Sequence, residues 1–303
     1  MASLKDIKIR IDSVRSTQQL TSAMKMVSAS KLRRAQLAQN TLKDVADKLG
    51  QIVRNIYAGF ENNKLQFFFK DRDKISHALI VVITSDKGLC GSFNGTVIKA
   101  AVNLIETEYK ELALENKVEV LCLGKKGLEF FSKKPYKIHP LSNTPLDHLT
   151  YKLIFPIAQS VVRAYTKGVY DRVEFIYHRP INAATQQLHI QRFLPLTKVA
   201  EIGEIQNNEL VIDQLPPDAI FLPNKGDVIV QLVPGLFKVY FYYMLLEAAT
   251  AEHGARMTAM HKASDNAMQL LKVLNMDYNK KRQSAITNEL MEIVSGAEAL
   301  NNQ

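Results

Sequence analysis

The placement of residues that break helices constrains this chain of 303 residues more than any other feature. All ten prolines lie within residues 135–234, and residues 1–49 contain neither proline nor glycine. From residue 236 onward only two glycines occur, Gly254 and Gly296. Because proline and glycine interrupt helices, both ends of the chain are predicted to be long helices, and the middle is predicted to consist of shorter elements.

Both predicted helices carry a seam of residues spaced three and four apart, as in a coiled coil. The N-terminal seam comprises Leu4, Ile7, Ile11, Val14, Gln18, Thr21, Lys25 and Ser28, and then Ala35, Ala38, Leu42, Val45, Leu49, Ile52 and Ile56. The change of phase near Ala35 and Ala38 predicts a stutter. The C-terminal seam comprises Val239, Tyr243, Leu246, Thr250, His253, Met257, Met260, Ser264, Ala267, Leu271, Leu274 and Tyr278, and resumes out of phase at Ile286, Leu290, Ile293, Ala297 and Leu300.

The lengths of the two helices favour their pairing with each other. At 1.5 Å per residue, a helix over residues 3–58 is about 84 Å long and one over 239–300 is about 90 Å long. Neither length fits within a small domain. The matched lengths predict an intramolecular antiparallel coiled coil, whereas two helices folded onto a core, or two separate oligomerisation arms, are the alternatives.

The middle of the chain alternates between strand and helix patterns. Strands are predicted at 77–84, 118–123, 172–178 and 186–193, with the last two forming a hairpin across 179–185. Helices are predicted at 95–115, 125–132 and 149–167, so the sheet should be partly parallel with an antiparallel end. The predicted fold is therefore α/β with long terminal helices.

The predicted domains follow these patterns. Residues 1–60 form the N-terminal coiled-coil helix and residues 61–223 form a Rossmann-like α/β domain with a proline-rich connector. Residues 224–303 form the C-terminal coiled-coil helix, with Asn224 as its N-cap and its first residue near Lys225. Gly254 inside this helix is predicted to mark a place where a neighbouring segment presses close.

The glycine-rich loop TSDKGLCGSFNG at residues 84–95 joins a strand to a helix. It matches neither GxxxxGK[ST] nor GxGxxG, so it is predicted to be a tight turn rather than a phosphate-binding loop. Cys90 has no histidine or asparagine partner of a catalytic type near it in the sequence and is predicted to be structural. Neither Cys90 nor Cys122 has the spacing of a metal ligand. No catalytic residue, cofactor or metal is predicted.

The positive charge is concentrated at the N-terminal end. The chain has a net charge of +9, and residues 1–60 carry eleven Lys or Arg against four Asp or Glu. No acidic residue occurs between Asp12 and Asp44. This end is expected to bind an acidic partner or a polyanion. The basic run 24–36 is compatible with a nucleic-acid-binding helix, a solvated face or a surface for acidic protein loops, but it lacks the aromatic residues that bind single strands.

The hydropathy pattern predicts a soluble chain. No apolar run approaches the roughly 18 residues of a membrane span, and the N-terminus lacks the apolar stretch of a signal peptide. The two cysteines in this context indicate a reducing compartment. Contact with a membrane would therefore come through partners.

Three sequence blocks resemble the gamma subunit of the F-type ATP synthase. They are VRSTQQLTSAMKMVSASKLRRAQ at 14–36, TSDKGLCGSFN at 84–94, and the long block at 252–300 that begins EHGARMTAMHKASDNAMQLL. The resemblance covers the first 60 and last 65 residues well, the middle strands fairly and residues 195–234 weakly. Departures from the family pattern are Lys87 for arginine, Ser92 for glycine, and Gly254 for a small residue with a side chain.

The resemblance implies a non-catalytic central-stalk rotor of a proton-driven rotary ATP synthase, without a cofactor. The terminal helices would turn inside a ring of three alpha and three beta subunits. The α/β domain would contact the epsilon subunit and the ring of c subunits. The expected location is the cytoplasmic face of a bacterial inner membrane, bound peripherally, or the mitochondrial matrix side for an organellar protein. A basic coiled-coil protein that binds nucleic acid is the alternative function.

The resemblance also implies which residues contact the ring. Met24 and Lys25 would face an acidic loop of the beta subunits, and Arg256 would face the neck of the ring. The upper contacts would be made by Arg282, Gln283, Thr287, Glu289 and Glu292.

Overall fold

A computed structural model describes residues 3–57, 75–144, 149–196 and 224–301, and also Phe68, Arg72, Leu146, Phe221 and Leu222. The elements in chain order are α1 (Leu4–Tyr57), β1 (Ala78–Ile83), α2 (Phe93–Thr107), α3 (Lys110–Leu114), β2 (Val118–Leu123), α4 (Lys125–Phe131), β3 (Lys137–Ile138), a 3-10 turn (Pro140–Asn143), α5 (Tyr151–Thr166), β4 (Arg172–Pro180), β5 (Gln186–Leu194) and α6 (Lys225–Asn301). The chain divides into two compact units. One comprises Met1–Ser28 with Met257–Gln303, and the other comprises Ala29–Arg256.

In the first unit, the start of α1 pairs with the later part of α6. Ile7 and Ile11 pack against Leu274, and Lys25 lies across from His261. Because the partner numbers on α6 fall as the α1 numbers rise, the two helices are antiparallel. The predicted intramolecular coiled coil is confirmed.

The second unit contains a five-stranded sheet with the strand order β3-β2-β1-β4-β5. β1 is parallel to both β2 and β4, and β2 is parallel to β3. β4 and β5 form an antiparallel hairpin. The predicted fold class, a Rossmann-like α/β sheet with an antiparallel end and long terminal helices, is confirmed.

Side chains of β1 alternate between two apolar layers, as the two-residue period of a strand requires. Leu79, Val81 and Ile83 point into one layer, which α5, α6 and the end of α1 complete. Ala78, Ile80 and Val82 point into the other, which α2 and α4 cover. Because both faces are buried, β1 is a continuous apolar run, as expected of a parallel strand covered on both sides.

The predicted stutter in α1 is wrong. Ala38 is exposed, and Val45 and Ile52 are 45% and 38% exposed. The inward-facing residues instead keep the phase of the first part of the helix, and they are Ser28, Leu32, Ala35, Gln39, Leu42, Ala46, Leu49, Val53 and Ile56. A residue as small as Ala46 or as polar as Gln39 can occupy a seam position when its neighbour is large. The hydrophobic pattern therefore assigned Ala38, Val45 and Ile52 to the seam wrongly, although Ala35, Leu42, Leu49 and Ile56 do face inward.

The seam of α6 runs in one phase from Val239 to Tyr278, with every member buried or half-buried, as predicted. Beyond it, Ile286, Leu290 and Ile293 are exposed. The side chains of Ala297 and Leu300 lie outside the described residues. In the first unit Ile7 already packs beside Leu274 and Tyr278, and α1 begins at Leu4. Among the described residues, α1 does not cover Ile286, Leu290 and Ile293.

Two local predictions in the α/β domain need correction. The helix expected over 95–115 is two helices, α2 and α3, separated at Glu108 and Tyr109. Tyr109 leaves helical geometry there, is buried, and donates a hydrogen bond of 2.6 Å to Glu174 Oε1. The short edge strand β3 was not predicted, because two residues carry no detectable periodicity.

The start of α6 agrees with its predicted cap. The backbone N–H of Asp227 donates to Asn224 Oδ1 at 2.8 Å, so Asn224 is the N-cap. Most of the proline-rich connector predicted before it, at 195–223, lies outside the described residues. One window within Gly226–Gly296 is long and apolar enough to cross a bilayer, but half of it is buried within the protein. The prediction that no apolar run approaches the length of a membrane span overlooked this window, and a buried core helix has the same length and composition.

Burial along α6 predicts unequal costs for the same substitution. Leu245→Ala removes a buried side chain from the core and should lower the free energy of unfolding by about 3 kcal/mol. Leu290→Ala changes a side chain that is 57% exposed and should alter it by less than about 0.5 kcal/mol. Urea denaturation of the two variants, followed by circular dichroism, provides the test, and equal losses would contradict the described packing.

Candidate partner-binding site

The loop between β1 and α2 uses its polar groups within the protein. The Ser85 N–H donates to Asn94 Oδ1 at 2.9 Å. The two carboxylate oxygens of Asp86 accept from the N–H groups of Lys125 at 3.0 Å and Leu146 at 2.6 Å. A phosphate-binding loop would instead present free N–H groups to the ligand. The side chains of Asn94 and Asp86 thus fix the start of this loop and connect it to neighbouring segments.

The same loop packs against α6. Cys90 and Phe93 form a buried apolar cluster with Ala251 and Ala255. The Arg256 guanidinium donates from Nε to the Gly88 carbonyl oxygen at 3.3 Å and from Nη2 to the Lys87 carbonyl oxygen at 2.9 Å. Arg256 was predicted to contact a partner. In the structure its guanidinium binds the backbone of the loop between β1 and α2 of the same chain.

Gly254 lies where the tip of the β4–β5 hairpin touches α6. A Cβ atom at this position would be 2.7 Å from the Ala183 carbonyl oxygen and 4.0 Å from Leu32 Cδ1. The first distance is below any normal contact, so the helix and the hairpin can approach this closely only without a side chain. The prediction that a neighbour presses close to Gly254 is confirmed.

Met24 and Lys25 lie on α1 in the first unit, and both are half-buried. Lys25 Nζ is 3.3 Å from His261 Nδ1 on α6, and that nitrogen is 3.4 Å from Asp265 Oδ2. The ammonium group of Lys25 is thus held near the surface of the helix pair. The hydroxyl groups of Thr21 and Ser28 beside it donate to carbonyl oxygens of their own helix, which leaves this part of the seam slender.

The predicted upper contacts begin where α6 passes the start of α1, since Lys281 and Ser284 on either side of Arg282 and Gln283 line a cavity with Asp6 and Ile7. Arg282, Gln283, Thr287, Glu289 and Glu292 are all exposed. The rise of 1.5 Å per residue places Arg282 about 32 Å along the helix from His261, the neighbour of Lys25. The predicted site residues therefore form separate groups rather than one pocket.

Sequence reasoning missed a buried polar cluster beside α6. Glu247 accepts hydrogen bonds from the Tyr177 hydroxyl at 2.9 Å and from Arg179 Nε at 3.2 Å. Burial raises the pKa of the Glu247 carboxyl, although Arg179 and Tyr177 oppose that shift. The signal was present in the sequence, because Glu247 is the only charged residue between Lys238 and Glu252 in an otherwise apolar run.

These features define a class of protein: one with antiparallel terminal helices, an α/β domain, and exposed side chains near the end of the last helix. A family model described as ATP synthase matches residues 3–300. The chain is 44% identical over 302 residues to the ATP synthase gamma chain of Cytophaga hutchinsonii, covering 100% of both chains. It is 42% identical to that of Flavobacterium johnsoniae, covering 99% of this chain and 100% of the relative. The chain belongs to the ATP synthase gamma chain family.

Solved structures agree with the fold. A cryo-EM structure of the Euglena gracilis mitochondrial ATP synthase contains a chain that matches with a TM-score of 0.63 at 19% identity. The match covers 98% of this chain and 94% of that one. The comparisons give no support to the alternative of a nucleic-acid-binding protein.

His178 of β4, which packs against the start of α2, predicts how the free energy of unfolding depends on pH. His178 is buried, and its Nε2 lies 2.7 Å from Thr96 Oγ1 and 3.2 Å from the Phe93 carbonyl oxygen. Burial lowers the pKa of His178 below its ordinary value of 6.5. As pH falls through 6.5, the unfolded chain binds this proton before the folded chain does, so the free energy of unfolding should decrease.

Urea denaturation at pH 8 and pH 5.5 measures this effect. His178→Gln cannot titrate and should show a smaller loss between the two pH values. His139 and His189 should account for part of the loss that remains, since burial lowers their pKa values too. An unchanged loss in the variant would contradict the assigned burial of His178.

Proposed function

We propose that this chain is the central-stalk rotor of a proton-driven rotary ATP synthase and that it carries no catalytic site itself. The paired terminal helices would turn inside a ring of three alpha and three beta subunits. The observation that supports this most directly is the antiparallel seam, which joins α1 to α6 and ends before the exposed last turns of α6. The relationship to gamma chains over the whole length supports it independently.

The mechanism follows from asymmetry. A single shaft contacts three identical beta subunits in three different ways, so each orientation favours a different conformation at each nucleotide site. Rotation driven by proton flow then takes every site through the same cycle. Linkage requires the reverse effect as well, because nucleotide binding must act on the shaft with the same coupling free energy.

The rotor–stator contacts are proposed from the predicted site residues. Met24 and Lys25 contact an acidic loop of the beta subunits, and their position beside small seam residues suits a narrow passage. Arg282, Gln283, Thr287, Glu289 and Glu292 make the upper contacts. Exposed charged groups form weak, quickly exchanging contacts, as sliding requires. Arg256, the last member of the predicted set, would face the neck of the ring from α6, beside the loop of residues 84–95 that it binds.

The remaining partners are proposed to be the epsilon subunit and the ring of c subunits, which the α/β domain would contact. The proposed domain limits remain 1–60, 61–223 and 224–303. The protein would be attached to the membrane peripherally, through the complex, on the cytoplasmic face of a bacterial inner membrane or on the matrix side in a mitochondrion.

Reconstitution tests the proposal. The chain is added to alpha and beta subunits, and ATP hydrolysis is measured with and without it. We expect the chain to co-purify with the ring and to change the rate of hydrolysis, because the ring needs an asymmetric shaft to cycle. A hydrolysis rate that does not respond to the chain, or steeply salt-dependent binding of DNA by the chain alone, would contradict it.

The upper contacts give a second prediction. Both carboxylates of Glu289 and Glu292 are exposed and would be available to contact the ring. Replacing the two residues together by glutamine removes these charges and should weaken binding to the ring. The same change should leave the unfolding free energy of the isolated chain within about 0.5 kcal/mol of the starting protein. Lys133→Gln, an exposed substitution in the α/β domain, serves as the control. Equal binding by all three proteins would remove these residues from the contact set.

A further inference from the structure

We propose that Arg256 and Gly254 of α6 form a clasp through which torque passes between α6 and the α/β domain. The clasp is defined as these two residues with Glu252, the carbonyl groups of Lys87 and Gly88, and the carbonyl group of Ala183. This proposal rests on the proposed rotor function. It assigns Arg256 a positioning role inside the rotor in place of a direct charge contact with the ring.

The guanidinium of Arg256 is engaged by its own chain. Nε and Nη2 donate to two consecutive carbonyl oxygens, those of Gly88 and Lys87, and Nη1 lies 2.7 Å from Glu252 Oε1. The side chains of Arg256 and Glu252 are only 11% and 14% exposed. The planar guanidinium fits two adjacent acceptors, which the single ammonium group of lysine cannot reproduce. Its charge is largely neutralised by Glu252 before any partner is met.

The second contact of the clasp lies on the other side of α6. Successive residues of a helix are rotated by about 100°, so Gly254 and Arg256 point in directions about 200° apart. The hairpin tip at Ala183 touches the helix at Gly254, and the loop at Lys87 and Gly88 holds it at Arg256. Two segments of the α/β domain therefore grip one short stretch of α6 from nearly opposite sides.

The packing around the clasp keeps the two contacts in place. Ala251 and Ala255, one turn apart, pack against Cys90 and Phe93 of the loop. Two turns before Gly254, Glu247 binds Tyr177 and Arg179 of β4, the strand that leads into the hairpin. Both the loop and the hairpin are thus anchored to the helix by more than one residue.

Directional contacts matter because they add to the resistance that apolar packing offers to rotation. Hydrophobic burial is non-directional, and packed side chains oppose rolling of a helix only through the fit of their shapes. Hydrogen bonds from a rigid guanidinium, and a backbone contact that leaves no space for a Cβ atom, each lose their geometry when the helix turns. The clasp therefore resists rotation of α6 relative to the α/β domain.

Two substitutions separate the clasp from a direct contact between Arg256 and the ring. Arg256→Lys keeps the charge but loses the paired hydrogen bonds, and Glu252→Gln removes the group that neutralises and orients the guanidinium. A clasp is weakened by both changes. A charge contact with an acidic partner loop is preserved by the first change and strengthened by the second.

The experiment uses the complete synthase reconstituted into liposomes, with Lys262→Gln, an exposed substitution on the same helix, as the control. ATP hydrolysis, ATP-driven proton uptake and the temperature of inactivation are measured for each variant. We expect Arg256→Lys and Glu252→Gln to pump several-fold fewer protons per ATP hydrolysed while hydrolysis continues. Gly254→Val should do the same, because its side chain displaces the hairpin. Lys262→Gln should match the starting protein.

The outcomes distinguish failure of the clasp from failure of the rotor function. Normal proton uptake by both Arg256→Lys and Glu252→Gln would overturn the clasp and leave the rotor function intact. A lower inactivation temperature with an unchanged ratio of protons to ATP would also overturn it, because the residues would then be merely structural. A complex that lacks proton uptake even with the unaltered chain would overturn the rotor function and the clasp together.

Discussion

The seam between α1 and α6 is the interaction on which the rest of the structure depends. The helices α1, of 54 residues, and α6, of 77 residues, each carry an apolar seam that must be shielded from water. Where the two helices lie side by side, each shields the seam of the other. Large apolar residues such as Ile11 and Leu274 supply hydrophobic burial in the first unit, and Val53 and Phe241 join the core of the second. The α/β sheet needs α6 as well, because α6 covers part of one sheet face together with α5 and the end of α1.

The composition of the seam varies along its length in a way that suits its proposed role. In the first unit Thr21 and Ser28 on α1 and Ser264 and Ala267 on α6 are buried, yet they contribute little apolar area. Thr21 and Ser28 bond to carbonyl oxygens of their own helix, so their burial leaves no unsatisfied hydroxyl group. Small seam residues let the two helices approach closely, but each contributes less hydrophobic stabilisation than a large residue would. Larger residues elsewhere in the seam hold the helices together.

The α/β domain shows how a nucleotide-type topology can serve a mechanical purpose. Its parallel strands and the loop after β1 are arranged as in proteins that bind phosphate at that edge. Here Asn94 and Asp86 accept hydrogen bonds from the backbone N–H groups of Ser85 and Lys125. Arg256 donates to the Lys87 carbonyl oxygen on the outer side of the loop. The same carbonyl groups that make the turn a poor anion site make it a good acceptor for a guanidinium.

The sequence by itself determined the two long helices, their antiparallel pairing, the positions of the main strands along the chain and the family, because these follow from proline placement, periodicity and long matching blocks. The order of the strands in the sheet came only from the tertiary structure. It could not determine the face of α1 after Ser28, where small and polar residues occupy the seam and Val45 and Ile52 point outward. Nor could it show that Arg256 binds Lys87 and Gly88, since the bond joins residues 168 and 169 positions apart. Only the tertiary structure decided these points, because burial and hydrogen bonding depend on which neighbours the fold brings to each side chain.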